Sequence, residues 1–432
     1  MQFSEQKLTK RLRIAWIGTP TPGGGVGGFG RQLIEGIAST QNEIVVFAQG
    51  DMKIEQQLGW REERIEFVYV PIDWDWGRWY SRSDIMVFFS SFWARMRSYK
   101  RLIALLEDRH RNDPFDVVIQ FSQTELFSTS KRLRYLPPFL LFPCVHAAGE
   151  LHFHKREKSL SARCESRLKY IMVNLNLRHR SVLQKRSYAA VYGVIGMSRR
   201  FNEWVRRDYG ISAERQAVVY QPIPMDRTEF KESSNDLPSI NSSNAPLRLL
   251  FVGRISVRKG IEMLVELSHR IDDLQNQVEL RVVGCSSFWS NYTRLLDSLN
   301  PRTSKYVGNL SHEATLHEME KADFLLVPSH YEPGGIVVAE AMRMGCAIIA
   351  SDEVGSAEDL PASVCRKFAA GDINAFEQTV RDAVKDMLLN DRKLLRQKVI
   401  EQASESFNLE KSISDLLVVC DRAANRLPIG GC

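Results

Sequence analysis

No stretch of the 432-residue sequence is both apolar and long enough to span a bilayer. The opening residues, Met1 to Arg13, are polar and lack the apolar core of a signal peptide, so the expected location is the cytoplasm. Cysteine is scarce and scattered. Seven residues with no CxxC pair argue against a disulfide framework and against a zinc ribbon. Cys144, Cys285, Cys346 and Cys420 lie in apolar contexts and read as small core residues. His152 and His154 form an H-x-H without a third ligand nearby, and no metal site is expected. Internal repeats and heptad runs are absent, which argues against a solenoid and a long coiled coil. Acid is short in one region. From Leu151 to Arg207 fourteen Lys and Arg stand against three Glu, an imbalance that suits an anionic membrane surface or an acidic acceptor. No nucleic-acid motif accompanies it.

What is present is the composition of a soluble globular protein, 44% apolar and 25% charged, in a chain too long for one ordinary core. Apolar runs at 13–18, 43–47, 115–121, 139–145, 190–196 and 217–220 read as strands in the first half. Those at 247–252, 278–284, 306–310, 324–327 and 347–351 read as strands in the second. Helical spacing between them predicts an α/β protein with a doubly wound sheet in each half. Residues 232–245, rich in Ser and Asn, read as a linker.

Three features of the first half invite a ligand. After the first strand, residues 19–30 are rich in glycine and precede a helical pattern at 31–39, the arrangement of a phosphate site. Gly25, Gly27 and Gly30 satisfy G-x-G-x-x-G, and Asp51 follows the second strand, so an NAD-dependent oxidoreductase is one reading. Against it, six residues separate Gly18 from Gly25, whereas the dinucleotide fingerprint turns directly off its strand. Next, Trp74, Trp76, Trp79, Tyr80, Phe88, Phe89, Phe92 and Trp93 precede Arg95, Arg97, Lys100 and Arg101. This suits an interfacial membrane contact, a packed helix with a solvated basic face, or an acceptor groove. Finally, His146 follows a strand directly, at the carboxyl edge where α/β sheets bind ligands.

The second half is more specific. A strand ending at Val327 runs into Ser329-His330-Tyr331-Glu332-Pro333-Gly334-Gly335 and then a helix from Ile336. Free N–H groups at that helix start suit an anion, and Glu332 and Glu340 are placed to hold two ends of one polar ligand. Another strand ends at Val252 and runs into Gly253-Arg254, a short spacer and Lys259-Gly260.

These residues resemble the E-x7-E signature of retaining glycosyltransferases with the two-domain GT-B fold, in the class often called family 4. Glu332, Gly335, Glu340 and Ala341 match it, and Gly334 stands where the family has Phe. Arg254 and Lys259 match the family's Gly-Arg and Lys-Gly element. The resemblance implies two Rossmann-like doubly wound domains facing across a cleft: an acceptor-side domain at 1–226, a linker at 227–246 and a donor-binding domain at 247–408. A helix at 409–432 would cross back onto the first domain. It implies transfer of a sugar from a nucleotide-diphosphate sugar to a saccharide or lipid-linked acceptor in polysaccharide biosynthesis, with no required metal and no other cofactor. Glu332 and the backbone of Gly335, Ile336 and Val337 would hold the sugar, and Glu340 the ribose hydroxyls. Gly253, Arg254 and Lys259 would hold the diphosphate, and the Asn309–Leu310 loop the base. Gly27 and Gly28 would face the donor, and His146 would touch the transferred sugar. The protein would be cytoplasmic or peripheral on the inner face of a membrane. A non-catalytic sugar- or membrane-binding relative is the remaining alternative, hinted at by Gly334.

Overall fold

Strands whose residues are buried on both faces belong in parallel sheets covered by helices on either side. The computed structural model describes residues 11–20, 25–49, 65–71, 85–122, 130–156, 158–164, 166–223, 245–286, 291–389 and 391–430. It contains two such sheets. Asp51, Trp74, Trp76, Trp79, Tyr80 and linker residues 227–244 lie outside the described residues, as do the side chains of Phe88, Phe89, Phe92 and Arg95.

The first sheet joins β1 (Arg13–Ile17), β2 (Glu43–Gln49), β3 (Ile65–Val70), β4 (Val117–Ser122), β5 (Phe139–Pro143), β6 (Gly193–Gly196) and β7 (Gln216–Val218) in the order β3-β2-β1-β4-β5-β6-β7. The second joins β8 (Leu247–Val252), β9 (Val278–Val283), β10 (Ser304–Gly308), β11 (Phe324–Val327), β12 (Ala347–Ser351) and β13 (Cys365–Phe368) in the order β10-β9-β8-β11-β12-β13. Among the described residues all strand pairings are parallel. Both halves are therefore doubly wound, and each has a point where the strand order reverses.

Contacts divide the chain into two units: Met1–Ala148, Arg178–Tyr220 and Leu409–Cys432 form one, and Gly149–Leu177 and Gln221–Asn408 the other. The division does not follow chain order. Residues 149–177, which the sequence reading placed in a domain at 1–226, group with the second unit. In the first unit the strand alternation makes two cores. Ile14, Trp16, Ile44 and Val46 pack with the helices Gly25–Ala38 and Leu409–Ala424, while Ala15, Ile17, Val45 and Phe47 pack with Ile85–Asn112 and Arg199–Tyr209. The helix after β1 starts at Gly25, six residues before the expected start at 31. Gly27 and Gly28 thus sit in its first turn instead of in a loop; Phe29, Leu33, Ile34 and Ile37, all buried, hold the helix down. In the second unit one continuous core runs through the sheet, from Leu249 and Leu250 to Ile348 and Ile349.

Candidate active site at the ends of β8 and β11

β8 and β11 are neighbours at the reversal point of the second sheet, with Phe324 beside Leu249 and Leu325 beside Leu250. Their carboxyl ends therefore lie side by side, where open α/β sheets place ligands. Beyond β8 come Gly253, Arg254, a 3-10 turn at Val257–Lys259, and the helix Ile261–Arg270. Gly260 joins turn to helix with φ +74°, and a Cβ there would lie 2.0 Å from the Pro328 carbonyl oxygen. The backbones of the two loops thus touch. Beyond β11, residues 328–335 lead to the helix Ile336–Arg343, whose N-cap is Gly335. Pro333 lies before this helix, outside its first turn.

The loops are tied to each other by polar contacts. Arg258 Nη1 donates to the Tyr331 carbonyl at 2.9 Å, and the His330 N–H donates to the Arg258 carbonyl at 2.9 Å. His330 Nε2 hydrogen-bonds with Glu262, and Lys259 Nζ forms an ion pair with Glu332 Oε2. Arg258 Nη1 stands 3.7 Å from the same Glu332 oxygen. The turn after β12 supports the loop from the other side. The Gly355 and Ser356 N–H groups donate to the carbonyls of Glu332 and Gly334, each at 2.9 Å, and Ser356 Oγ donates to the Gly335 carbonyl at 3.0 Å.

This packing sets the charge states. Burial acts to raise the Glu332 carboxyl, but Lys259, Arg258 and Arg254 outweigh it and hold it below the usual carboxylate range. Burial lowers the Lys259 ammonium from its ordinary value, and Glu332 opposes that shift. Three cations thus surround one ionised carboxylate. Glu340 is different. Burial alone pushes it up to about 7, and its carboxylate has no hydrogen-bond or ion-pair partner among the described residues. The Ile336 and Val337 N–H groups lie in the first turn, where helix geometry supplies no acceptor, so they are open to an anion. The arrangement can bind a dianion, stabilise charge growing on it, and accept hydrogen bonds from hydroxyls on either side.

The other sequence-derived residues fall at different places. Asn309 and Leu310 follow β10 at the carboxyl edge of the same sheet, with Asn309 exposed. Gly27, Gly28 and His146 belong to the first unit. The His146 side chain is wholly enclosed there, edge-on to Tyr209 at 5.1 Å between centroids, with Nε2 3.3 Å from Asp208 Oδ2. Its loop is held by Gln184, which accepts from the Ala147 N–H at 2.9 Å and from the Tyr209 hydroxyl at 2.8 Å. His154 stacks on Tyr170, whereas His152 is exposed, so the H-x-H projects to two environments. Cys285 is exposed at the end of β9 instead of being a core residue.

Sequence reasoning missed Arg258, Glu262 and His330. Arg258 had a signal, a second cation beside Lys259. Glu262 and His330 are 68 positions apart and had none; only the adjacency of β8 and β11 brings them together. Beside this loop, Phe153 stacks on Tyr331 at 5.8 Å between centroids.

Residues 233–406 match the family model described as glycosyl transferases group 1. An uncharacterized glycosyltransferase of Methanocaldococcus jannaschii is 29% identical over 170 residues, 38% of this chain and 43% of that protein. The chain thus spans less than half the length of that curated relative. Among solved structures, sucrose-phosphate synthase from Thermosynechococcus elongatus superposes with a TM-score of 0.64 at 18% identity, over 94% of this chain and 97% of its own. Anabaena HepE in complex with UDP and glucose superposes with a TM-score of 0.58 at 16% identity, over 94% and 98%. At these identities the structures establish a shared GT-B fold.

Proposed function

We propose that the protein is a retaining glycosyltransferase that moves a sugar from a nucleotide-diphosphate sugar to a saccharide or lipid-linked acceptor. The observation that carries this reading is the Lys259–Glu332 ion pair, set with Arg258 and Arg254 at the reversal point of the second sheet and next to an open helix start. A diphosphate leaving group gains negative charge as the glycosidic bond breaks. Prepositioned Arg254 and Lys259, together with the Ile336 and Val337 N–H groups, stabilise that charge. Glu332 accepts from the sugar hydroxyls and Glu340 from those of the ribose. In the reading we favour, acceptor attack and leaving-group departure share one face of the sugar, and the leaving phosphate takes the acceptor proton. His146 lies in the first unit, where its Nε2 stands 3.3 Å from Asp208 Oδ2 and its ring packs on Tyr209. The group 1 match over the donor-side segment and the UDP-bound neighbour support this donor class.

A thermal-shift and nucleotide-release screen with UDP-, GDP- and ADP-sugars, and with NAD as a rival, tests the reading. Stabilisation by one nucleotide with slow release of it from one donor is expected. Stabilisation by NAD alone, or no response to any nucleotide in folded protein, sinks it.

Glu340 adds a pH signature. Its folded-state value of about 7 lies above the unfolded one, so folding takes up a proton between the two. Its contribution to stability is present at low pH and is lost as pH rises through about 7. Nucleotide affinity runs the opposite way, because ribose hydroxyls bond best to the ionised carboxylate. From pH 6 to pH 8 the ionised fraction of such a group rises about tenfold, and nucleotide affinity measured by calorimetry should follow it. Glu340→Gln should flatten both trends; a variant that keeps the wild-type pH dependence would remove Glu340 from the ribose site.

A further inference from the structure

Glu262 and His330 sit within the candidate site, yet neither is among the groups that hold the donor. Glu262 lies in the first turn of the helix Ile261–Arg270, and His330 in the loop after β11. Glu262 Oε1 accepts from His330 Nε2, which carries the hydrogen because a carboxylate oxygen can only accept. The other carboxylate oxygen, Oε2, is buried and has no hydrogen-bond partner among the described residues, an arrangement that costs stability. The imidazole is fixed on its remaining sides as well. Phe153 stacks on it at 6.2 Å between centroids, and a Cβ at Gly371 would stand 3.5 Å from its Cε1 and Nδ1. Glu262, His330, Phe153 and Gly371 all belong to the second unit.

The geometry shows what this link fixes. His330 bonds twice to one segment: its N–H donates to the Arg258 carbonyl at 2.9 Å, and its ring reaches Glu262. A loop held by one hydrogen bond pivots about it, whereas two anchors set its direction. The anchors lie on either side of Lys259, and Glu332 follows His330 by one intervening residue, Tyr331. The Lys259–Glu332 ion pair cannot set that direction alone. A diphosphate on Lys259 draws away the partner of Glu332 at the moment the sugar has to be held.

We propose that His330 and Glu262 are positioning residues for the transfer, keeping Glu332 in its sugar-binding direction while the donor diphosphate engages Lys259. Their link uses no ligand-binding group, so it persists when the donor enters and preorganises the acceptor of the sugar hydroxyls. The inference rests on the glycosyltransferase reading of the site.

Nucleotide release from UDP-, GDP- and ADP-sugars, measured beside calorimetric binding of the free nucleotides, tests it. A Glu262→Leu/His330→Phe variant replaces both partners by apolar side chains, orphans neither, and should melt close to wild type. Its turnover at saturating donor should fall at least about tenfold, while its affinity for free nucleotide stays within about twofold of wild type. His330→Gln, whose amide still donates to Glu262, should keep turnover within about threefold. Wild-type protein that releases nothing from any of these donors overturns the glycosyltransferase reading, and this inference with it. Near-normal turnover in the double variant overturns this inference alone. A double variant that loses stability or free-nucleotide affinity in step with turnover would overturn it as well, since the pair would then be a general prop of the unit. So would His330→Gln as slow as the double variant, because the hydrogen bond would not be what acts.

Discussion

Lys259→Ala is expected to slow nucleotide release from a sugar donor at least about a hundredfold, the scale of losing one transition-state charge contact. Glu332→Ala should slow it as much, for a different reason, through loss of the sugar's hydrogen-bond acceptor. The two variants should differ in stability. Without Lys259, the Glu332 carboxylate keeps Arg258 at 3.7 Å. Without Glu332, Lys259 and Arg258 face each other in a largely dry site with no carboxylate between them, a loss that in buried pairs costs about 3–5 kcal/mol. Urea unfolding should therefore rank wild type above Lys259→Ala and Lys259→Ala above Glu332→Ala. Near-normal turnover by both folded variants would remove this cluster from the reaction. A reversed stability order would show that Arg258 does not serve as the reserve partner.

The second large effect concerns backbone. Gly260→Ala should destabilise the protein by at least about 3 kcal/mol, because two costs combine. A side chain at φ +74° pays left-handed strain of about 1–2 kcal/mol. In addition the new Cβ would lie 2.0 Å from the Pro328 carbonyl oxygen, so the two loops must separate. Gly210 has the same φ and nothing within 4 Å of an added Cβ, so Gly210→Ala reports the strain alone. The excess for Gly260 measures how tightly the β8 and β11 loops abut. It should be accompanied by weakened nucleotide binding, since Lys259 adjoins the shifted residue. Equal losses at the two glycines in urea titrations would show that the close approach is relieved without consequence.

The parts of the fold that could be read from sequence share a physical cause. Leu247–Val252, Phe324–Val327 and Ala347–Ser351 are central strands, and burial on both faces forces an apolar run that is visible in one dimension. Two edge strands were not read. β13 carries Arg366 and Lys367, because an edge strand is partly in water and need not be apolar. β3 is likewise only partly buried. The start of the helix at Gly25 was misplaced because three glycines in four residues argue for a loop locally, while the buried Phe29, Leu33 and Ile34 decide for a helix.

What the sequence determined by itself is what neighbouring residues decide: the alternation of strand and helix, the cationic turn around Lys259, and the Glu332–Glu340 spacing with its glycine-started helix. The last two are local because each is written in fewer than ten consecutive positions, and each strand or helix is likewise set by its own residues. Only the tertiary structure decided which local pieces meet. Lys259 and Glu332 are 73 positions apart, and they pair because β8 and β11 are neighbours at a reversal in strand order that no local pattern encodes. The same holds for His146, whose place after a strand reads as a ligand site, whereas Phe201, Asp208 and Tyr209 from a distant helix enclose it. Burial and charge partners come from long-range packing, and so the protonation of Glu332 and Glu340, two carboxylates eight positions apart, is set in opposite directions by surroundings the chain assembles from elsewhere.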